Sequence, residues 1–187
     1  MTPEEILDEW NRLDDTAAAQ VILPCNGSSA WAQGVARRRP LADAQQMFAA
    51  SDCVWRRLSE QDWQDAFDSH PRLGEQNAKA ATRQSLNWSS QEQSAAQPDD
   101  AIREALAKAN REYEAKFGRI FLLCATGRSA AEILEVLRTR MTNDAAAELH
   151  EAAEQQRLIT RLRLRKWLQM PPLTCAELVA SLETEAA

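Results

Sequence analysis

Residues 143–169 read NDAAAELHEAAEQQRLITRLRLRKWLQ. Asn143 is a helix-capping residue type, and Pro171-Pro172 lies just beyond the far end. The stretch therefore predicts one long helix, capped at Asn143 and reaching about Gln169. Within it, Arg157, Arg161 and Arg165 fall on one stripe at four-residue spacing and read as a solvated face. Arg163 projects about 160° away from Arg161 at 3.6 residues per turn. Its neighbours four positions either side are Ile159 and Trp167. An arginine on an apolar face needs a partner, because a buried charge is costly unpaired. That partner is either a protein carboxylate or a substrate carboxylate. Leu164 and Leu168 lie near the basic side, so the helix is expected to be buried on more than one face.

Helix signals continue outward in both directions. Thr2-Pro3-Glu4-Glu5 is a capping box with proline at the first helical position, followed by Ile6, Trp10 and Leu13 on one face. A second helix is predicted from Thr16 to Leu23, ended by Pro24, and a third from after Ser28 to near Arg39. The Arg37-Arg38-Arg39 run there reads as a helix end complementing the dipole. From Leu41, the residues Ala44, Met47, Phe48, Ser51, Val54, Trp55 and Leu58 have helical spacing. Ser59 caps the next helix, which carries Trp63, Ala66 and Phe67 on one face. It must stop near Ser69-His70, because Pro71 disfavours helical backbone at the residue before it.

A polar stretch then leads to Trp88, with a long loop over residues 76–88, and Ser89-Ser90-Gln91-Glu92 opens another helix. Pro98-Asp99-Asp100 starts a long one, with Ile102, Ala105, Leu106, Ala109, Tyr113 and Phe117 on one stripe and Gly118 as its breaker. Ile120 to Ala125 is the most apolar run of the chain. It fits a short strand or a buried helical turn, and periodicity does not decide between them. A helix over 129–140 follows Gly127. Thr174-Cys175-Ala176-Glu177 is a capping box for a short terminal helix over 174–183. The fold class predicted is all-α, as a single compact multi-helix domain over residues 1–187 with its core at about 3–170.

Composition agrees. Glycine and proline are scarce, at 5 and 7 of 187 residues, which favours helix. A net charge of −6 argues against a general nucleic-acid binder. There is no long uncharged apolar run, so no membrane span is expected. The acidic N-terminal residues do not suggest a secretory signal, and the C-terminal residues form no peroxisomal address or lipidation box. Cys25, Cys53, Cys124 and Cys175 are widely separated and form no CxxC pair. They read as buried structural thiols in a reducing cytoplasm. No P-loop, dinucleotide-binding, nucleophile-elbow or HExxH pattern is present, so those chemistries lack their residues.

Two histidines remain. His70 follows Trp63, Ala66 and Phe67 at the next helical step. It points to the core side at a helix end, beside a rigid proline. Partial desolvation there moves an imidazole pKa through the working range, which suits a general acid or base. The alternative is a helix-end histidine bonded to a nearby carbonyl. His150 reads as an ordinary half-exposed helix residue. Ser89 and Glu92 have the spacing of a capping box, and the same helix N-terminus is a place to bind a carboxylate or carbonyl oxygen. A non-enzymatic helical interaction domain would show the same amphipathic helices, but it gives no reason for His70-Pro71 or for an inward Arg163.

Several segments together resemble one family, the 2-oxo-4-hydroxy-4-carboxy-5-ureidoimidazoline (OHCU) decarboxylases of urate breakdown. They are Ser69-His70-Pro71-Arg72-Leu73-Gly74-Glu75, Ser89-x-x-Glu92-Gln93, Tyr113-x-x-Lys116-Phe117-Gly118, Phe121-Leu122-Leu123-Cys124-Ala125-Thr126-Gly127 and Ile159-Thr160-Arg161-Leu162-Arg163-Leu164. The resemblance implies an all-helical decarboxylase with no metal or organic cofactor, acting on a small ureidoimidazoline, as a homodimer. It implies catalytic roles for His70, Glu92 and Arg163. It also implies a pocket lined by Pro71, by Ser89, Ser90, Gln91 and Gln93, and by backbone groups of Phe121, Leu122, Leu123, Cys124 and Ala125.

Overall fold

The computed structural model describes residues 1–71, residue 84 and residues 100–185. The readings for the 76–88 loop, for Ser89 to Gln93 (Glu92 included) and for a start at Pro98 lie outside the described residues. Among the described residues there are nine helices and no strand. In chain order they are α1 (Pro3–Asn11), α2 (Asp15–Asn26), α3 (Ser29–Ala36), α4 (Ala44–Trp55), α5 (Glu60–Asp68), α6 (Asp100–Phe117), α7 (Ala130–Arg140), α8 (Ala145–Trp167) and α9 (Cys175–Glu185). No helix among them is long and apolar enough to cross a membrane.

The caps explain most boundaries. Thr2 with Glu5, Ser59 with Asp62 and Ser129 with Glu132 form full capping boxes at α1, α5 and α7. Thr174 and Glu177 bond reciprocally at the start of α9. Several boundaries differ from the predicted ones. The long helix is capped by Asp144, not Asn143; the Asp144 carboxylate accepts the Ala147 N–H at 2.8 Å. Helix α3 stops at Ala36, short of Arg39. Helix α2 runs through Pro24 to Asn26. The stop comes from Gly27, whose left-handed backbone (φ 97°) is cheap only for glycine and whose N–H returns to Leu23 O at 2.8 Å. Leu13, placed on the apolar face of α1, is exposed instead, because α1 has ended two residues before it.

The segment 120–125 is neither strand nor helix. It is irregular chain with its side chains dealt alternately to two cores. Leu122 and Cys124 join the larger core, with Ile120 packed against it; that core is built from α1 to α5, α8 and α9. Phe121, Leu123 and Ala125 join a second core with Tyr113 and Phe117 of α6 and Ile133, Leu134 and Leu137 of α7. Burial on both sides is why an unbroken apolar run carried no readable period.

A buried ion pair fixes this segment to the helices. The Glu148 carboxylate receives the Arg140 guanidinium and the Tyr113 hydroxyl, and accepts Asn143 Nδ2 at 2.8 Å. Arg140 Nη1 then donates to Leu122 O at 2.7 Å. Burial, followed by the Glu148 bond, pushes the Tyr113 hydroxyl above its ordinary pKa, so it remains a donor.

The cysteines do not all stay free. Cys124 and Cys175 form a disulfide that ties the 120–125 segment to the first residue of α9. This corrects the expectation of four structural thiols, and for this pair it removes the cysteine argument for a reducing compartment. A sequence separation of 51 left the pair unreadable in one dimension. Cys25 is buried and free, and Cys53 is free and half-buried.

Replacing Glu148 by alanine strands the Arg140 charge in the interior. Glu148→Ala is expected to cost about 3–5 kcal/mol in urea unfolding. A loss under about 1 kcal/mol would mean that water compensates the pair.

Candidate active site

His70 sits where α5 ends. Ser69 is the C-cap, its hydroxyl bonded back to Ala66 O at 2.7 Å, and the His70 N–H returns to Phe67 O at 3.0 Å. Pro71 follows and is buried. The end of α2 comes in close beside this turn, because a Cβ on Gly27 would lie 2.1 Å from Ser69 Oγ. Glycine at 27 therefore serves both the left-handed stop and the close approach.

That approach assembles a polar cluster under the imidazole. Ser69 Oγ donates to Asn26 O at 3.4 Å, and Gln156 Nε2 of α8 donates to the same carbonyl at 3.2 Å. Asn26 Nδ2 and Gln156 Nε2 also reach Thr160 Oγ1, at 3.0 and 3.2 Å, and the Thr160 hydroxyl donates to Gln156 O at 2.8 Å. One turn further along α8, Arg163 is 1% exposed, with Nη1 donating to Pro24 O at 3.4 Å.

His70 is 7% exposed, and its Nε2 has no hydrogen-bond partner among the described residues. Burial pushes its pKa well below the ordinary 6.5, the Arg163 charge pushes it further down, and a hydrogen-bonding contact with Gln156 opposes both. The imidazole is thus neutral at pH 7. Burial drives the neighbouring Cys25 thiol up to about 12 despite the pull of Arg163, so it stays protonated. A neutral imidazole next to a fixed cation, at a buried helix end, is equipped to take a proton from an anionic guest.

The structure brings His70 and Arg163 together and separates Arg161 from them. Arg161 and Arg157 both bond Asp52 of α4, at 3.0 and 2.8 Å, and Arg161 lies over the Phe48 ring. The predicted solvated stripe is therefore wrong at these positions: Arg161 is buried and Arg157 is nearly so, because α4 packs against that side of α8. His150 is exposed and meets the edge of Trp63. In the 121–125 segment, Cys124 N–H already donates to Gln155 Oε1 at 2.9 Å and Leu122 O accepts Arg140. These two backbone groups are engaged within the protein. Gln156, Thr160 and Asn26 were not singled out from the sequence. Gln156 and Thr160 lie on the helical stripe of Ile159 and Arg163, and two polar residues there were the available signal.

Fold and site together define a class: an all-α protein holding a neutral histidine against a buried arginine at a helix junction. Residues 11–165 match the family profile described as OHCU decarboxylase. The chain belongs to the OHCU decarboxylase family. It is 36% identical over 145 residues to the uric acid degradation bifunctional protein TTL of Arabidopsis thaliana, covering 76% of this chain but only 44% of that relative. Its fold is similar to a crystal structure of OHCU decarboxylase in the presence of (S)-allantoin, with a TM-score of 0.68 and 33% identity over 79% of this chain and 96% of that one. An (S)-allantoin synthase structure shares the fold alone, at TM-score 0.66 and 17% identity over 89% of this chain and 53% of that one.

A depressed folded-state pKa has a definite sign in stability. Above pH 6.5 His70 is neutral folded and unfolded, and the fold keeps its full stability. Below it the unfolded chain binds the proton first, so stability falls with pH until the folded pKa is reached. The wild type is expected to lose stability below about pH 6.5 with a slope of up to roughly 1.4 kcal/mol per pH unit, and His70→Gln to lose that component. Denaturant midpoints between about pH 8 and pH 5 check this; parallel curves for the two proteins would refute it.

Proposed function

We propose that this chain converts OHCU to (S)-allantoin and CO₂, acting as one helical domain without metal or organic cofactor. The observation that carries the reading is the buried, neutral His70 beside Arg163 in a chain of this family. Loss of CO₂ leaves an electron pair on carbon, which needs a sink. In OHCU the carbon that loses CO₂ also bears the hydroxyl and adjoins the ring C=N carbon that carries the ureido group; that C=N accepts the pair, so no cofactor sink is required. The protein's task is then to fix the carboxylate out of the ring plane, stabilise the growing negative charge and deliver one proton to one face.

His70 performs the proton transfer. As a neutral base it takes the proton of the substrate hydroxyl. Once charged beside Arg163 it is a strong acid and returns a proton to the enolate carbon. The C–C bond to CO₂ breaks and its pair moves onto the C=N, whose nitrogen takes a proton from water; the hydroxyl oxygen becomes the ring carbonyl as the C–H bond forms on the ureido-bearing carbon, so atoms and electrons balance. Arg163 orients a carboxylate or the ring oxygens, and Glu92 holds the hydroxyl or ureido group. Pro71 and the 121–125 segment wall the pocket, with Ser89, Ser90, Gln91 and Gln93 binding carbonyls. Delivery to one face gives one enantiomer of allantoin. A homodimer in the cytoplasm completes the reading.

The test generates OHCU in place from urate, using urate oxidase and hydroxyisourate hydrolase, and follows circular dichroism. The intact protein is expected to produce a single allantoin enantiomer rapidly, and His70→Ala to lose about 10²–10⁴-fold in rate. Spontaneous racemic decay in every sample would contradict the decarboxylase reading and favour a helical interaction domain.

A further inference from the structure

Gln156 is fully buried on α8, and its amide is held from one side only. Its NH₂ group donates to Asn26 O and to Thr160 Oγ1, both 3.2 Å away. The orientation of the amide is set by these bonds, since a carbonyl needs a donor and Nε2 supplies it. Gln156 Oε1 therefore points elsewhere, and it has no hydrogen-bond partner among the described residues. The Asn26 carbonyl that Gln156 grips is also gripped by Ser69, the residue before His70. Two buried polar atoms of this cluster, Gln156 Oε1 and His70 Nε2, thus have no hydrogen-bond partner among the described residues. Buried orphans are expensive, and those that persist in native proteins usually have work to do.

We infer that Gln156 is a positioning residue whose side-chain carbonyl accepts an imidazole N–H of His70 and so holds the ring in a single tautomer, leaving the opposite nitrogen's lone pair for the substrate. Its contact with the ring falls outside strict hydrogen-bond geometry, yet it favours the protonated ring, as an acceptor must. Closing this bond satisfies Oε1. The chain of restraint runs from the Asn26 carbonyl at the end of α2, through the Gln156 amide, to the ring. It costs no net charge, so His70 stays neutral beside the Arg163 cation, the ionisable group that acts on it from α8. A carboxylate in place of Gln156 would ion-pair with the ring and lift its pKa, whereas the amide orients it without charging it. A histidine free to exchange tautomers would spend part of its time with the wrong nitrogen toward the substrate.

The inference rests on the proposed role of His70, but its test does not require turnover. His70 and His150 are the protein's two histidines, so ¹⁵N-histidine labelling in the His150→Gln background gives one imidazole to read by long-range ¹H–¹⁵N correlation. The substrate-free protein is expected to show His70 as one neutral tautomer. Gln156→Met, close in size but without an acceptor, should give a tautomer mixture and lower kcat about tenfold with KM within about twofold. Gln156→Glu, which keeps an acceptor, should restore the single tautomer and move the His70 titration upward. A tautomer mixture in the Gln156-containing protein overturns the inference whether or not the Met variant folds. So does an unchanged tautomer in Gln156→Met, or an unmoved titration in Gln156→Glu. A single tautomer in a protein that fails to turn over OHCU would uphold the Gln156 assignment while removing the decarboxylase reading.

Discussion

Helix α8 takes Arg161 and Arg163 into the interior, and a buried guanidinium costs several kcal/mol unless something meets it. What meets each one organises the fold. Arg161 finds the Asp52 carboxylate, which fastens α4 to α8 with help from Arg157. Arg163 donates to the Pro24 carbonyl in the last turn of α2. Near the start of the same helix, the relation is inverted: Glu148 is the buried anion, and Arg140 and Tyr113 converge on it from α7 and α6. One helix thus carries the contacts that hold both cores and the irregular segment between them.

The site follows from the same requirement. Arg163 cannot be moved outward without stranding the end of α2, and its charge is felt by whatever lies beside it. His70 is placed there by the stop of α5 and by the close approach that glycine allows at position 27. The histidine responds by staying neutral, since burial and the neighbouring cation both oppose its protonation. Structural strain and chemical readiness therefore have one source. The environment that makes the imidazolium costly to form makes it an effective acid once a substrate has supplied the proton.

Much of this was legible in the chain. Pro71 fixed the end of α5, capping signatures at Thr2, Ser59 and Thr174 marked three helix starts, and a helical wheel turned Arg163 inward. Other features escaped for physical reasons. Asp144 outcompeted Asn143 as a cap, a choice between adjacent capping residues that spacing alone does not make. Arg161 read as solvated because a wheel shows one helix and not the α4 carboxylate that waits for it. The 120–125 run had no period because its two sides face two cores. The Cys124–Cys175 bond joins positions far apart in sequence, and no local pattern announces it. Gln156 is one polar residue among several on α8, and only the fold brings the Asn26 carbonyl against it.

The central claim is that the Arg163 charge helps keep His70 neutral where the proton is moved. The pH dependence of kcat/KM for OHCU, which reports the ionisations of the free enzyme, tests it when wild type is set beside Arg163→Met. The account predicts a wild-type acid limb well below the ordinary histidine range, moving upward in the variant as the repelling charge is removed, along with a loss of overall rate. An acid limb near pH 6.5 in both proteins would contradict it.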